Sequence, residues 1–147
     1  MTINIVFDFG AVLFSWRPDL LLAEQFPLRA ATPQAAQALA HDIFHHDAWQ
    51  SFDRGTLALE HVAERTARRT ELPVQQLWNF MSGIGERLAP MPDIVALLTM
   101  LREQRDRHGD LRLYFLSNMP APFARVLEHR HAFLSWFDGG VFSGDVQ

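Results

Sequence analysis

The 147-residue chain has no cysteine, which excludes a disulfide framework and a thiolate zinc site. It has no lysine either, so all thirteen basic side chains are arginine. No apolar run approaches the roughly 20 residues needed to span a membrane, and no membrane partner is expected. Positive charge is in short supply. The net charge of −4 and a pI near 5.9 leave no basic surplus for nucleic-acid phosphates, so nucleic acid is not expected as a partner. The N-terminus shows no basic stretch ahead of an apolar one, the mark of a secretory signal. Apolar residues make up 48% of the chain, enough for a packed core. The expectation is one cytoplasmic domain, or a small domain carrying an insert.

The most informative segment lies at the start. Ile3 to Phe7 is β-branched or aromatic apart from Asn4, which predicts a buried strand. Asp8 ends it, and Phe9-Gly10-Ala11-Val12-Leu13 follows. Ligands of open α/β folds bind outside the carboxyl ends of strands. A carboxylate placed there is suited to nucleophilic attack, to metal binding, or to both. Far downstream, Leu111 to Leu116 reads as a second strand, and Ser117-Asn118 closes it.

These two strand ends resemble the first and second motifs of the haloacid dehalogenase-like hydrolases. Trp49 and Asp53-Arg54-Gly55, between them, resemble the phosphatase-like branch of that superfamily. The resemblance implies an α/β fold, a Rossmann-like parallel sheet of about three strands with an inserted all-helical cap. Residues 1–15 and 90–147 would form the core, and 16–89 the cap. It implies Asp8 as the nucleophile that forms an aspartyl-phosphate, and Ser117 and Asn118 as phosphate-binding residues. It also implies magnesium held by Asp8 and the Gly10 carbonyl, with a small phosphorylated metabolite as substrate. Arg17, just past the first motif, is a candidate clamp for an anionic group. A solvated hinge charge is an equal reading of it.

The sequence departs from the family pattern in three places. Most phosphatases of the superfamily carry an aspartate two residues after the nucleophile, which protonates the leaving group; here the position is Gly10. Dehalogenating members usually carry an aromatic residue there, which Gly10 does not match either. The family's third-motif lysine and fourth-motif acidic pair are absent from the chain, whose sequence runs to Gln147 just after Val141-Phe142-Ser143-Gly144-Asp145. The expectation is therefore a truncated hydrolase, weak or inactive by itself, whose first strand lies at an exposed sheet edge and invites a homodimer. Two alternatives stand beside it: a metal-free 2-haloacid dehalogenase, and a non-catalytic fragment acting by binding or self-association.

Along the chain, Pro18 and Asp19 predict a helix start. Ser51 to Gly55 reads as a turn, with Thr56 as N-cap of the next helix. After Pro90-Met91-Pro92-Asp93, the residues Ile94, Leu97, Leu98 and Leu101 predict an apolar helix stripe ending at Gly109. A helix over about 121–129 and a short strand at 140–143 complete an alternating pattern that implies a parallel sheet. Ser117 has a second reading as a helix N-cap. His41 and His45 read as an exposed polar face, although their spacing also suits a metal. Trp49, Phe52 and Asp53 divide between packing and pocket lining, and Asp138 and Asp145 read as turn residues.

Overall fold

In a computed structural model, which describes residues 1–146, the chain is an α/β protein. β1 (Ile3–Phe7) is followed by six helices: α1 (Pro18–Gln25), α2 (Pro33–Phe44), α3 (Asp47–Asp53), α4 (Leu59–Thr70), α5 (Val74–Ser82) and α6 (Ile84–Arg87). The long helix α7 (Pro92–His108) leads into β2 (Leu111–Ser117). α8 (Ala121–Arg130) and a 3-10 turn (Ala132–Trp136) lead into β3 (Gly139–Phe142), and a second 3-10 turn covers Ser143–Asp145. The strands form one parallel sheet in the order β1-β2-β3, with Phe7 beside Phe115 and Ser117 beside Phe142.

The elements begin and end where local chemistry dictates. Proline opens α1, α2 and α7, where its missing N–H costs nothing. Gly109, with φ of 67°, stops α7 in the left-handed conformation that glycine adopts without steric penalty. Three expectations are corrected here. Ser51 to Asp53 belong to α3 rather than to a turn, because Trp49 and Phe52 bury their rings on successive turns of that helix. Thr56 does not cap α4; its hydroxyl donates to the Ser51 carbonyl, and Ala58 occupies the cap position. On α7 the inward stripe runs through Ile94, Val95, Leu98 and Leu101, while Leu97 is turned to solvent.

β1 is an edge strand rather than a fully buried one. By strand alternation and register, Val6, Tyr114, Leu116 and Val141 share one face of the sheet. Val6 is 60% exposed and Leu116 62% exposed. The opposite face, with Leu111, Leu113, Phe115 and Phe142, joins the core. One apolar cluster runs from this face into the helical insert through Phe14, Leu88, Phe123 and Trp49.

Candidate active site

Strand alternation and two phenylalanines place Asp8. Phe7 and Phe9 are both buried, so the carboxylate between them is turned outward and is exposed. Phe9 has no solvent exposure, and its ring lies 4.9 Å from that of Phe115, 5.1 Å from Phe142 and 5.4 Å from Phe14. This aromatic plug fixes the backbone just beyond the strand. The Phe9 N–H donates to Asp8 Oδ1 at 2.6 Å, which orients the carboxylate. The chain then turns tightly: Phe14 N–H donates to the Phe9 carbonyl and Ala11 N–H to the Phe14 carbonyl, both at 2.8 Å. Ala11 takes the strained positive φ of this turn, at 59°. Gly10 does not, and a Cβ built on it would meet nothing within 4 Å. Backbone geometry therefore does not require glycine at position 10, and the space beside it is open.

Parallel pairing of β1 with β2 carries Ser117 to the same end of the sheet as Asp8. Ser117 is the last residue of β2 and is 3% exposed. Its hydroxyl is buried and has no hydrogen-bond partner among the described residues. The N-cap reading of Ser117 fails, since Pro120 holds the cap position of α8. A buried unpartnered hydroxyl costs desolvation energy, and an incoming acceptor oxygen would relieve it.

Asn118 faces the helical insert. Its Nδ2 donates to Asp53 Oδ2 at 3.0 Å. Asp53, at the end of α3, is only 8% exposed, and burial pushes its carboxyl up to about 7 against the opposing pull of Asn118 and Arg54. The Ser143 hydroxyl donates to the Asp53 backbone carbonyl at 2.6 Å and accepts from the Met119 N–H at 2.9 Å. Below this junction, a Cβ on Gly144 would lie 2.3 Å from the Ala121 nitrogen, so only glycine allows the approach. Asp53 and Asn118, with Gly10, line a cavity of about 210 Å³. The rest of its wall is mainly apolar and aromatic, with Trp16, Phe44, Trp49, Ile84, Leu88 and Phe123 prominent.

Arg17, His41, Asp138 and Asp145 lie away from the cavity, whereas His45 is part of its wall. Arg17 forks onto Asp19, with contacts of 3.0 and 3.2 Å; its side chain is 61% exposed and does not line the cavity. The His41 and His45 rings stack at 4.7 Å, and His46 caps α3 through Nδ1. Among the described residues, no group of three acidic or histidine side chains is arranged to cage a metal. Asp138 does more than turn the chain: it accepts from the Leu113 N–H at 2.8 Å and from Arg105 at 3.2 Å, and both interactions hold its carboxyl below the usual range. Asp145 pairs with Arg125. The sequence pattern divides Asp53 between packing and pocket lining. Its fixed contact with Asn118, 65 positions away, had no local signal.

Magnesium fits the donors at the sheet end in kind. Asp8 and the Gly10 carbonyl supply hard oxygen atoms, and magnesium usually takes one or two carboxylates and completes its shell with water and substrate phosphate. An all-protein cage is not needed for such a site.

No protein-family model matches the chain. A sesquiterpene phosphatase of Aspergillus oryzae is 25% identical over 142 residues, which cover 97% of this chain and 64% of that protein. The chain thus spans about two thirds of the length of that relative. Among solved structures, a HAD family enzyme of Bacteroides thetaiotaomicron in complex with magnesium and inorganic phosphate superposes with a TM-score of 0.65. The overlap covers 99% of this chain and 70% of that one, at 14% identity. An L-2-haloacid dehalogenase of Xanthobacter autotrophicus with chloropropionic acid covalently bound gives a TM-score of 0.61, over 96% of this chain and 56% of that one, at 18% identity.

Proposed function

We propose that this chain, which has the fold of the haloacid dehalogenase-like superfamily, is the nucleophile-bearing part of a phosphatase acting on a small phosphate monoester. One observation carries the reading. Parallel pairing sets the outward carboxylate of Asp8 and the buried, unpartnered hydroxyl of Ser117 at the same end of one sheet. Asp8 attacks phosphorus, the ester oxygen leaves, and water then cleaves the aspartyl-phosphate. Ser117 and Asn118 hold the phosphoryl oxygens as charge shifts onto them. Asp8 and the Gly10 carbonyl would hold magnesium, which offsets the negative charge of the phosphate. Residues 16–89 are read as a cap over this end of the sheet.

The cavity wall favours an apolar leaving group. It carries two tryptophans and two phenylalanines but no arginine, and its polar side chains are few (His45, Asp53 and Asn118), so a sugar or nucleotide would leave most of its hydroxyls or charges unpaired there. The volume of about 210 Å³ suits a compact group. The sesquiterpene phosphatase relative is in keeping with an apolar alcohol.

The test is hydrolysis of aryl and alkyl phosphates with magnesium by the wild-type protein and by Asp8→Asn. Loss of turnover by about a thousandfold or more is expected in the variant. Full activity in Asp8→Asn would overturn the reading. Halide release from a 2-haloacid in the presence of a chelator would replace it with the dehalogenase reading.

A further inference from the structure

Gly10 leaves a chemical gap. An alkoxide leaving phosphorus needs a proton, and glycine has none to give. No backbone strain explains the glycine, and the space where a side chain would stand is open. The cavity that Gly10 lines receives a carboxyl from the other side. Asp53 enters it from α3, with one oxygen held by Asn118 and its backbone held by Ser143. Resting on the phosphatase reading, we propose that Asp53 is the proton donor to the leaving oxygen, and the acceptor from the attacking water, in place of a side chain at position 10.

The steps balance. Asp8 carboxylate forms a bond to phosphorus, the phosphorus–ester oxygen bond breaks, and protonated Asp53 delivers its proton to that oxygen. The alcohol leaves, and Asp53 is now a carboxylate. Water attacks the phosphoryl group on Asp8, Asp53 takes a proton from it, and inorganic phosphate is released with both carboxyls restored.

The surroundings of Asp53 suit the role. Burial keeps a proton on it near neutral pH. From α4 the buried residues are Val62, Ala63, Thr66 and Thr70, all uncharged; its charged side chains are exposed except that of Arg69, which is half-buried and donates to the Asp42 carbonyl. The Asp145 carboxyl, on the 3-10 turn against α3, is taken by Arg125, and His45 of the α2 end lines the same cavity. Arg54 is the charge that acts on Asp53 directly, and it only partly offsets the effect of burial. A carboxyl that merely tied the insert to the sheet would be served as well by a neutral amide, because Asn118 needs only an acceptor oxygen.

The experiment compares two esters of similar size. 4-Nitrophenyl phosphate releases an anion stable without a proton, whereas benzyl phosphate releases an alkoxide that requires one. In Asp53→Asn, kcat/KM for benzyl phosphate is expected to fall roughly 100- to 10,000-fold, the usual worth of general acid–base help. For 4-nitrophenyl phosphate the expected loss is about tenfold or less. Wild-type kcat/KM for benzyl phosphate should decline above about pH 7, and Asp53→Asn should lack that limb. Adding Gly10→Asp to Asp53→Asn should restore benzyl phosphate turnover, because the space beside Gly10 admits the side chain. Equal losses on the two esters would reduce Asp53 to a structural tie and overturn the proposal, as would no loss on either. A carboxyl NMR titration of Asp53 in its ordinary range would overturn it whatever the activity. Failure of the phosphatase reading shows differently, as wild-type protein that hydrolyses neither ester or Asp8→Asn that hydrolyses both, and it takes this proposal with it.

Discussion

Asn118 and Asp53 share a hydrogen bond of 3.0 Å across 65 positions of sequence, joining the end of the second strand to the third helix of the insert. Asn118 immediately follows the serine read as a phosphate ligand, and Asp53 is buried among aromatic rings. The bond therefore couples the Ser117 end of the sheet to the wall of the cavity.

The buried Asp53 carboxyl makes stability depend on pH. Its folded value, about 7, lies above the ordinary value of 3.8, so the folded state holds a proton that the unfolded state has released. The contribution of Asp53 is fully present below about pH 4 and is lost as pH rises through 7. The loss is at most roughly 4 kcal/mol for a shift of this size. Asp53→Asn, uncharged at every pH, should be more stable than wild type at pH 8, and the gap should shrink steadily toward pH 4. Urea unfolding across that range measures it, and an equal gap at both ends would contradict the buried proton.

Ser117→Ala should separate stability from binding. The hydroxyl has no partner among the described residues, so its removal relieves a desolvation cost. Stability should stay within about 1 kcal/mol of wild type or rise slightly. Affinity for inorganic phosphate in the presence of magnesium, read by calorimetry, should fall roughly 10- to 100-fold. A marked loss of stability with unchanged affinity would make Ser117 a packing residue.

Phe9→Ala should cost about 3–5 kcal/mol, as expected for a fully buried ring. Four other phenylalanine rings lie within 6.4 Å of it, and none can fill the void without leaving its own contacts. Since Phe9 anchors the backbone beside Asp8, turnover should fall even under conditions where the variant remains folded. Thermal unfolding and kinetics on the same sample test both parts.

The free edge of β1 and the exposed Val6 and Leu116 favour self-association of the 147-residue chain. Sedimentation velocity should show a concentration-dependent dimer, weakened in Val6→Lys. A monomer at about 100 µM, well above the range of stable dimers, would count against pairing at this edge.

Much of the fold was legible because its signals are local. A β-branched run ending in Asp8, a second ending in Ser117, proline at helix starts and glycine after α7 each act within a few residues. The misreadings arose where distant packing outweighed those signals. Ser51 to Asp53 are helical because Trp49 and Phe52 reach Phe123, and Thr56 bonds backward to Ser51 instead of capping forward. β1 is half exposed because composition can indicate a strand but not which of its faces is covered.

By itself the sequence determined that a carboxylate and a hydroxyl would each close a strand, since alternation and strand propensity are properties of the chain segment alone. Which of those groups would be exposed, unpartnered or buried was decided only in three dimensions. The Ser117 hydroxyl was buried with no partner among the described residues, while Asp53 was drawn from a surface-like motif into a cavity where its charge is expensive. The reason is physical: desolvation depends on every neighbour within several ångströms, and most of those neighbours are far away along the chain.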